Sequence, residues 1–402
     1  MSENLVVNIP TGGCSDCTNC GLCAKGEKKT PDVVTFSTNA PEAAATEIKD
    51  SVETVVAVDL GTTTVGMYLV NAATGEQMGV FVALNPQQLH GPDVISRISA
   101  ASGAAREELR TLILETIENG VIKLIKDKKP SKIVISGNTV MGYLLMGYDT
   151  AKLGVYPFEV EHQGTFTTEI AGIPAVLMPG ISAFVGGDIV SGLYTLGFSQ
   201  KDEVSLLLDL GTNAEMVIGN ARKRIATSAA AGPAFEQKMY ATQLISAAAQ
   251  MLAEDKMDET GCLADEYFEL GCIVGRMLVK QEDIRSLQMA KAAVRTGIEL
   301  LVEKYGATLD EIDTFYLAGG LGYYLDLDAA FAIGLFPEEL KGKVQVVGNT
   351  SLEGAYRYAM DERNTPEQLN KALKMLTEET EEFAMAEAEG FEKLYIAAMN
   401  FT

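Results

Sequence analysis

The chain has 402 residues, 47% of them hydrophobic, which is enough for two or three domains with cores of their own. Its 55 acidic and 32 basic side chains leave a formal charge of −23, which argues against nucleic acid or an anionic membrane as a partner because both are polyanions. Its apolar stretches are broken before they reach the length of a membrane span, and its N-terminus lacks the basic start and apolar core of a signal peptide, so a cytoplasmic chain with reduced or metal-ligating cysteines is expected.

Four of the six cysteines come first: Cys14, Cys17, Cys20 and Cys23, in GGCSDCTNCGLCAKG. Small and polar spacers let the backbone curl around an inorganic cluster with its amides facing the sulfurs. The spacing C-x2-C-x2-C-x2-C is close to a ferredoxin run, but the last gap is shorter and the following proline is missing. A zinc site normally takes two cysteine pairs separated by a longer loop. The pattern therefore favours an iron–sulfur cluster, 4Fe–4S in form, over zinc or no metal. Cys262 and Cys272 lie in mixed, helical-looking sequence and read as small buried hydrophobes. Residues 1–24 are thus a cluster-binding segment. Residues 25–53, rich in Lys, Glu, Thr, Ala and Pro, read as a flexible linker in which VVTF is able to add to a sheet edge.

From residue 54 the pattern becomes regular. Strands are predicted at 54–59, 65–71 and 78–84, a helix at 103–127, a strand at 132–136, and a helix opened by Gly137-Asn138-Thr139. Residues 150–185 read as an insertion with short strands, after which Gly186-Gly187-Asp188 starts a helix to about 197. The order then repeats. Strands at 204–209, 213–219 and 222–227 lead into a loop containing Gly232, followed by a largely helical insertion at 237–281 and a helix at 284–304. A strand at 313–317, the turn Ala318-Gly319-Gly320-Leu321-Gly322, a helix from about 326 and a strand at 344–347 complete the second set. Residues 351–402 read as mostly helical, with the acidic stretch 377–394 as a solvated helix face. Strands, helix, strand, helix, twice over, is the order of an α/β protein with two ribonuclease-H-like lobes, here 54–200 and 201–402.

The repeat carries the chemistry. Each lobe begins with an aliphatic strand that ends in Asp-Leu-Gly-Thr: Asp59-Leu60-Gly61-Thr62-Thr63-Thr64 in the first, Asp209-Leu210-Gly211-Thr212-Asn213 in the second. Glycine lets such a turn approach a ligand without a Cβ in the way, while the exposed amides and the Thr and Asn side chains surround a phosphate. Opposed Asp59 and Asp209 suit Mg2+ with its retained waters and can position an attacking water, so they are the candidate catalytic pair. Plain turn-forming aspartates are the bland alternative, less apt for two copies in equivalent contexts. Gly319, Gly320 and Gly322 suit a base or ribose lying on bare backbone. Gly137, Asn138, Gly187, Asp188 and Gly232 are further candidates, for ligand contact or for helix capping alike. Glu215 and Glu236 are lesser candidates for water activation, and His90 and His162 read as ordinary surface residues.

These hairpins and the AGGLG turn resemble the superfamily of actin, sugar and acetate kinases and heat-shock ATPases. Further strings resemble the reductive activators of corrinoid proteins: Asn85-Pro-Gln with GPDVISRI, SGNTVMGYLL, PGISAFVGGDI, LDLGTNAEMVIG, AAAGPAFE, FYLAGGLGYYLD and VVGNTSLEGA. The likeness covers about residues 54–360. It implies an ATP-dependent iron–sulfur protein, binding ATP and Mg2+, that returns Co(II) corrinoid to Co(I) on a corrinoid protein partner and forms a homodimer. Two alternatives use the same parts. Activators of 2-hydroxyacyl-CoA dehydratases carry their cysteines within the ATPase body, unlike this chain, and a small-molecule kinase with a zinc-binding tail would give the cysteines no redox role.

Overall fold

The structure is a computed structural model that describes residues 5–7, 52–125, 128–211, 213–235 and 238–401. The cysteine segment from Cys14 to Cys23, nearly all of the linker, Thr212 and Glu236 lie outside the described residues.

The first half holds β1 (Leu5–Val7), β2 (Thr54–Leu60), β3 (Thr64–Asn71), β4 (Gln77–Leu84), α1 (Val94–Ser102), α2 (Arg106–Leu124), β5 (Lys132–Gly137), α3 (Thr139–Met146), β6 (Phe166–Ile170), β7 (Ile173–Leu177) and α4 (Gly187–Thr195). The second half begins with β8 (Ser205–Leu210), β9 (Ala214–Gly219), β10 (Arg224–Ala229), α5 (Lys238–Ala253), α6 (Asp265–Phe268), β11 (Cys272–Val274), β12 (Met277–Val279) and α7 (Gln281–Tyr305). It continues with β13 (Thr314–Ala318), α8 (Gly319–Tyr324), α9 (Leu327–Ala332), β14 (Val344–Gly348), α10 (Thr350–Asn364), α11 (Pro366–Glu378), β15 (Thr380–Glu382) and α12 (Phe391–Ala398).

Among the described residues the strands form two large sheets, in the orders β1-β4-β3-β2-β5-β7-β6 and β14-β13-β8-β9-β10-β15. Each is an antiparallel meander continued by parallel crossover strands. β5 and β7 extend the first from β2, and β13 and β14 extend the second from β8. A strand between two neighbours with both faces covered needs an apolar run. β2 supplies it: Val56, Ala57, Val58 and Leu60 have no solvent access, and each such branched side chain contributes about 1.5–3 kcal/mol. Asp59 is the interruption.

Helices α2 and α3 cover the outer face of the first sheet, and α5 and α7 that of the second. A third core lies between the sheets, where α4 and α10 bring Leu193 and Leu352 against Ala57 and Val134 of one sheet and Leu207 and Val217 of the other. α10 begins two residues after β14 of the second sheet yet packs on β2, β5 and α4. The chain therefore crosses between the sheets at Gly348, whose φ of +68° makes the turn. The contact of α4 with α10 is backbone-close, because a Cβ on Gly354 would stand 2.3 Å from Ser191 Cβ.

Two expectations need correction and two need completing. Residues 150–185 are no appended insertion: β7 pairs in parallel with β5 and continues the central sheet, a long-range pairing that local pattern does not report. The helix expected at 103–127 is α2, Arg106–Leu124, but GPDVISRI, for which no element was expected, forms a helix of its own, α1, where Asp93 and Ser96 make a reciprocal capping box. The acidic stretch 377–394 is not one helix. Thr380–Glu382 forms a parallel edge strand on β10, its start fixed by buried Arg224, which donates to Thr380 Oγ1 and Met375 O. The insertion at 237–281 includes the hairpin β11–β12.

Candidate functional site

Asp59 and Asp209 occupy matching places, each next to last in the strand that opens the meander, β2 in one sheet and β8 in the other. Asp59 faces Ser136 of β5 across a parallel ladder, and Asp209 faces Ala318 of β13 in the same way. On the other side, Asp209 is opposite Glu215 of β9. Asp188 lies in the first turn of α4 and Ile189 N–H donates to it at 2.9 Å. These carboxylates share one field. Removal from bulk water raises Asp188 to about 7, and the charges of Asp209 and Asp59 add to the rise. Burial, then Asp188 and Asp209, hold Glu215 well above the usual carboxylate range, against a lowering hydrogen bond with Asn213. All four keep partial contact with solvent.

Among the described residues no group of three His, Cys, Asp or Glu side chains is placed to hold a metal ion directly. The cluster suits a cation that keeps most of its water, as Mg2+ does, and such a charge would relieve the repulsion that raises Asp188.

The first hairpin is clamped from behind. Gly61 N–H donates to Thr64 O at 3.0 Å, and a Cβ on Gly61 would stand 2.7 Å from that oxygen. Asn85 Nδ2 donates to Gly61 O at 2.9 Å, Arg97 Nη2 to Thr62 O at 2.7 Å and Gln88 Nε2 to Thr63 O at 2.9 Å. Arg97 is fully buried, and burial lowers its pKa to about 10. Asn138 Nδ2 donates to Thr62 Oγ1 at 2.9 Å, while its Oδ1 caps α3 at Met141 N–H. With its carbonyls taken up by the protein, the turn is held rigid around Thr62, Thr63 and Thr64, which stay partly exposed.

In the second hairpin Gly211 N–H donates to Asn213 O at 2.9 Å. Gly319 has φ +85° and opens α8 beside Asp209, where a Cβ would stand 2.5 Å from Oδ1. Gly320 is partly exposed next to it, and Gly232, at φ +77°, faces open space. Three other candidate glycines serve packing. A Cβ on Gly137 would meet Leu60 O at 2.6 Å, on Gly187 Met178 O at 2.9 Å, and on Gly322 Leu317 Cγ at 2.7 Å. The histidines stand apart from the carboxylates: His90 pairs with Glu108 at 3.3 Å, and exposed His162 stacks on Tyr148.

α8 leads from Asp209 toward a cavity of about 670 Å3, lined by Tyr324 at its far end, Gln243 and Gln250 of α5, and Arg276 of the β11–β12 turn. Six helical residues span about 9 Å along the axis.

Sequence reasoning missed two groups of residues. Asn85, Gln88 and Arg97 fasten the first hairpin, and Asn349 and Ser351 fasten Asp59: Asn349 Nδ2 donates to Oδ2 at 2.8 Å and Ser351 Oγ to Oδ1 at 2.6 Å. All of these but Gln88 lie in strings that carry the family resemblance, and an arginine on the apolar face of α1 was the available signal.

Matching aspartates at the ends of matching strands, in two meander-and-crossover sheets with helices α4 and α10 between them, define the fold class shared by actin, sugar and acetate kinases and heat-shock ATPases. Within that class the chain belongs to the reductive activators of corrinoid proteins. Residues 54–201 match the RACo middle region, and residues 203–242 and 238–402 match the C-terminal domain of RACo, the ASKHA domain. The chain is 27% identical over 382 residues to the corrinoid activation enzyme RamQ of Eubacterium limosum, a match covering 76% of this chain and 64% of RamQ. It is 21% identical over 418 residues to the [Co(II) methylated amine-specific corrinoid protein] reductase of Methanosarcina barkeri, covering 86% of this chain and 76% of that protein. The solved structure of a reductive activator for a corrinoid, iron–sulfur protein has the same fold. It superposes with a TM-score of 0.77 at 24% identity, covering 88% of this chain and 67% of that one. The chain thus spans less than two thirds of the length of RamQ. No helix among the described residues is long and apolar enough to cross a membrane.

Proposed function

We propose that this chain uses ATP to drive the transfer of a low-potential electron to a corrinoid protein, converting Co(II) to Co(I). The observation that carries the ATP half is the cluster of Asp59, Asp188, Asp209 and Glu215. It is assembled from two sheets and repelled internally, beside the two Asp-Leu-Gly turns, where Gly61 N–H bonds Thr64 O and Gly211 N–H bonds Asn213 O. Asp59 and Asp209 would hold Mg2+ through its waters, and the cation would neutralise charge on the phosphates. Thr62, Thr63, Thr64 and Asn213 would line the phosphates. Gly319 and Gly320 would bear the ribose, and the cavity at Tyr324 would take the base. The relatives' names, corrinoid activation enzyme and Co(II) corrinoid protein reductase, support the client and the reaction.

Cys14, Cys17, Cys20 and Cys23 would hold the iron–sulfur cluster, which supplies one electron at low potential. Nucleotide binding can move the Co(II)/Co(I) balance only by as much as it binds one arrangement of the sheets more tightly than another. The protein's part is therefore docking and gating, with the redox step left to the cofactor.

The test begins with iron, sulfide and zinc content of protein purified without oxygen, alongside Cys14→Ala/Cys17→Ala. About four irons and four sulfides, lost in the double variant, support the electron-donor reading. Appearance of Co(I) absorbance in a Co(II) corrinoid protein, only with ATP and an added reductant, completes it. One zinc without sulfide, or ATP-independent reduction, refutes it.

A further inference from the structure

We infer that Asn349 and Ser351 are positioning residues for Asp59, and that through them the crossing between the two sheets sets the orientation of that carboxylate. The inference deepens the nucleotide reading above and rests on it. Asn349 and Ser351 each hold one oxygen of the same carboxylate, at 2.8 and 2.6 Å. Two donors on two oxygens fix rotation about the Cβ–Cγ bond, which one donor leaves free. Bonds to an ionised acceptor are also the stronger class of hydrogen bond.

The origin of the donors is what matters. Asp59 belongs to β2 of the first sheet, whereas Asn349 follows directly on β14 of the second. Ser351 Oγ, 5% exposed with its residue, also lies 2.9 Å from Ser136 Oγ, which lies 2.8 Å from Ser191 Oγ on α4. Ser136 Oγ donates in turn to Gly187 O of α4 at 3.1 Å, so these hydroxyls tie α4, β5 and α10 together beside the carboxylate. Gly354 leaves no space between α10 and Ser191, so α10 is held to α4 of the first half, whereas Asn349 is joined through Gly348 to β14 of the second sheet and carries its displacement to Asp59. A change in the disposition of the sheets therefore turns Asp59, and a nucleotide held by Asp59 resists that change.

Asn349 has a second task that makes a clean test possible: its Oδ1 accepts from Leu352 N–H at 2.8 Å and caps α10. Asn349→Asp keeps the cap, for which the two residues are equally good, removes the Nδ2 donor and sets a second carboxylate against Asp59. Ser351→Ala removes the other donor, and Ser351→Thr restores it. The measurement is kcat and KM for MgATP hydrolysis by the full chain, with the thermal midpoint of each variant. Expected is a fall in kcat of about tenfold or more for Asn349→Asp and Ser351→Ala, KM within about twofold, midpoints near wild type, and recovery in Ser351→Thr. Unchanged kcat in correctly folded Asn349→Asp overturns the inference while leaving the nucleotide reading intact. Loss of kcat in step with loss of thermal midpoint, Ser351→Thr included, also overturns it, because that is the mark of a packing role. Failure of the wild type to bind or hydrolyse MgATP refutes the nucleotide reading itself, and this inference with it.

Discussion

Replacing Asp188 with Asn tests the electrostatics of the cleft without altering its shape. In the folded chain the Asp188 pKa rises from 3.8 to about 7, first through burial and then through Asp209 and Asp59. Between those values the folded chain holds more protons than the unfolded chain, so this group makes stability fall as pH rises. The penalty is absent below about pH 4 and complete above about pH 7. At 1.36 kcal/mol per pH unit the rise corresponds to about 4 kcal/mol. Asp188 keeps some contact with water, which screens the repulsion, and about 2 kcal/mol is the working expectation. Asp188→Asn is therefore expected to lie within about 0.5 kcal/mol of wild type at pH 4.5 and to be more stable by about 2 kcal/mol at pH 8 without nucleotide. Urea unfolding at the two pH values, followed by tyrosine fluorescence because the chain has no tryptophan, measures the difference. Added MgATP should narrow the gap, since the cation stabilises only the ionised cluster. An equal difference between the two proteins at both pH values would refute the reasoning.

Gly319→Ala forces a Cβ to within 2.5 Å of Asp209 Oδ1 at φ +85°, so nucleotide affinity by calorimetry should fall at least tenfold, at a stability cost of about 1–3 kcal/mol. Arg97→Met leaves the carbonyls of Thr62 and Gly91 without their buried donor, and a loss of about 2–4 kcal/mol in urea is expected together with weaker ATP binding. Lys291, buried on α7, donates to Ala398 O at 2.5 Å and Asn400 O at 2.7 Å, with its pKa lowered by burial to about 7. There the unfolded chain binds the extra proton, so this group makes stability rise between pH 7 and 10.5. The thermal midpoint of wild type relative to Lys291→Met should climb through that window, and parallel pH profiles would count against the assignment.

Local sequence determined the strands and the ends where chemistry gathers. An aliphatic run is driven into a sheet interior by its own hydrophobicity, and Asp-Leu-Gly after such a run has to turn, so Asp59 and Asp209 were legible from residues 54–64 and 205–213 alone. Capping is equally local, which is why Asn138 at the start of α3 was legible as a cap. What lay beyond the sequence depended on partners far along the chain. Nothing near residue 173 reports that β7 pairs with β5, and nothing near residue 380 reports that Thr380–Glu382 joins β10. At Gly137, Gly187 and Gly322 the space a Cβ would take is filled by Leu60, Met178 and Leu317, a packing reason for glycine that only the folded chain supplies. The bond between Asn349 and Asp59 spans 290 positions. Hydrogen bonds act over about 3 Å and carry no trace along the backbone, so the grip of the crossing on Asp59 was decided by the tertiary structure alone.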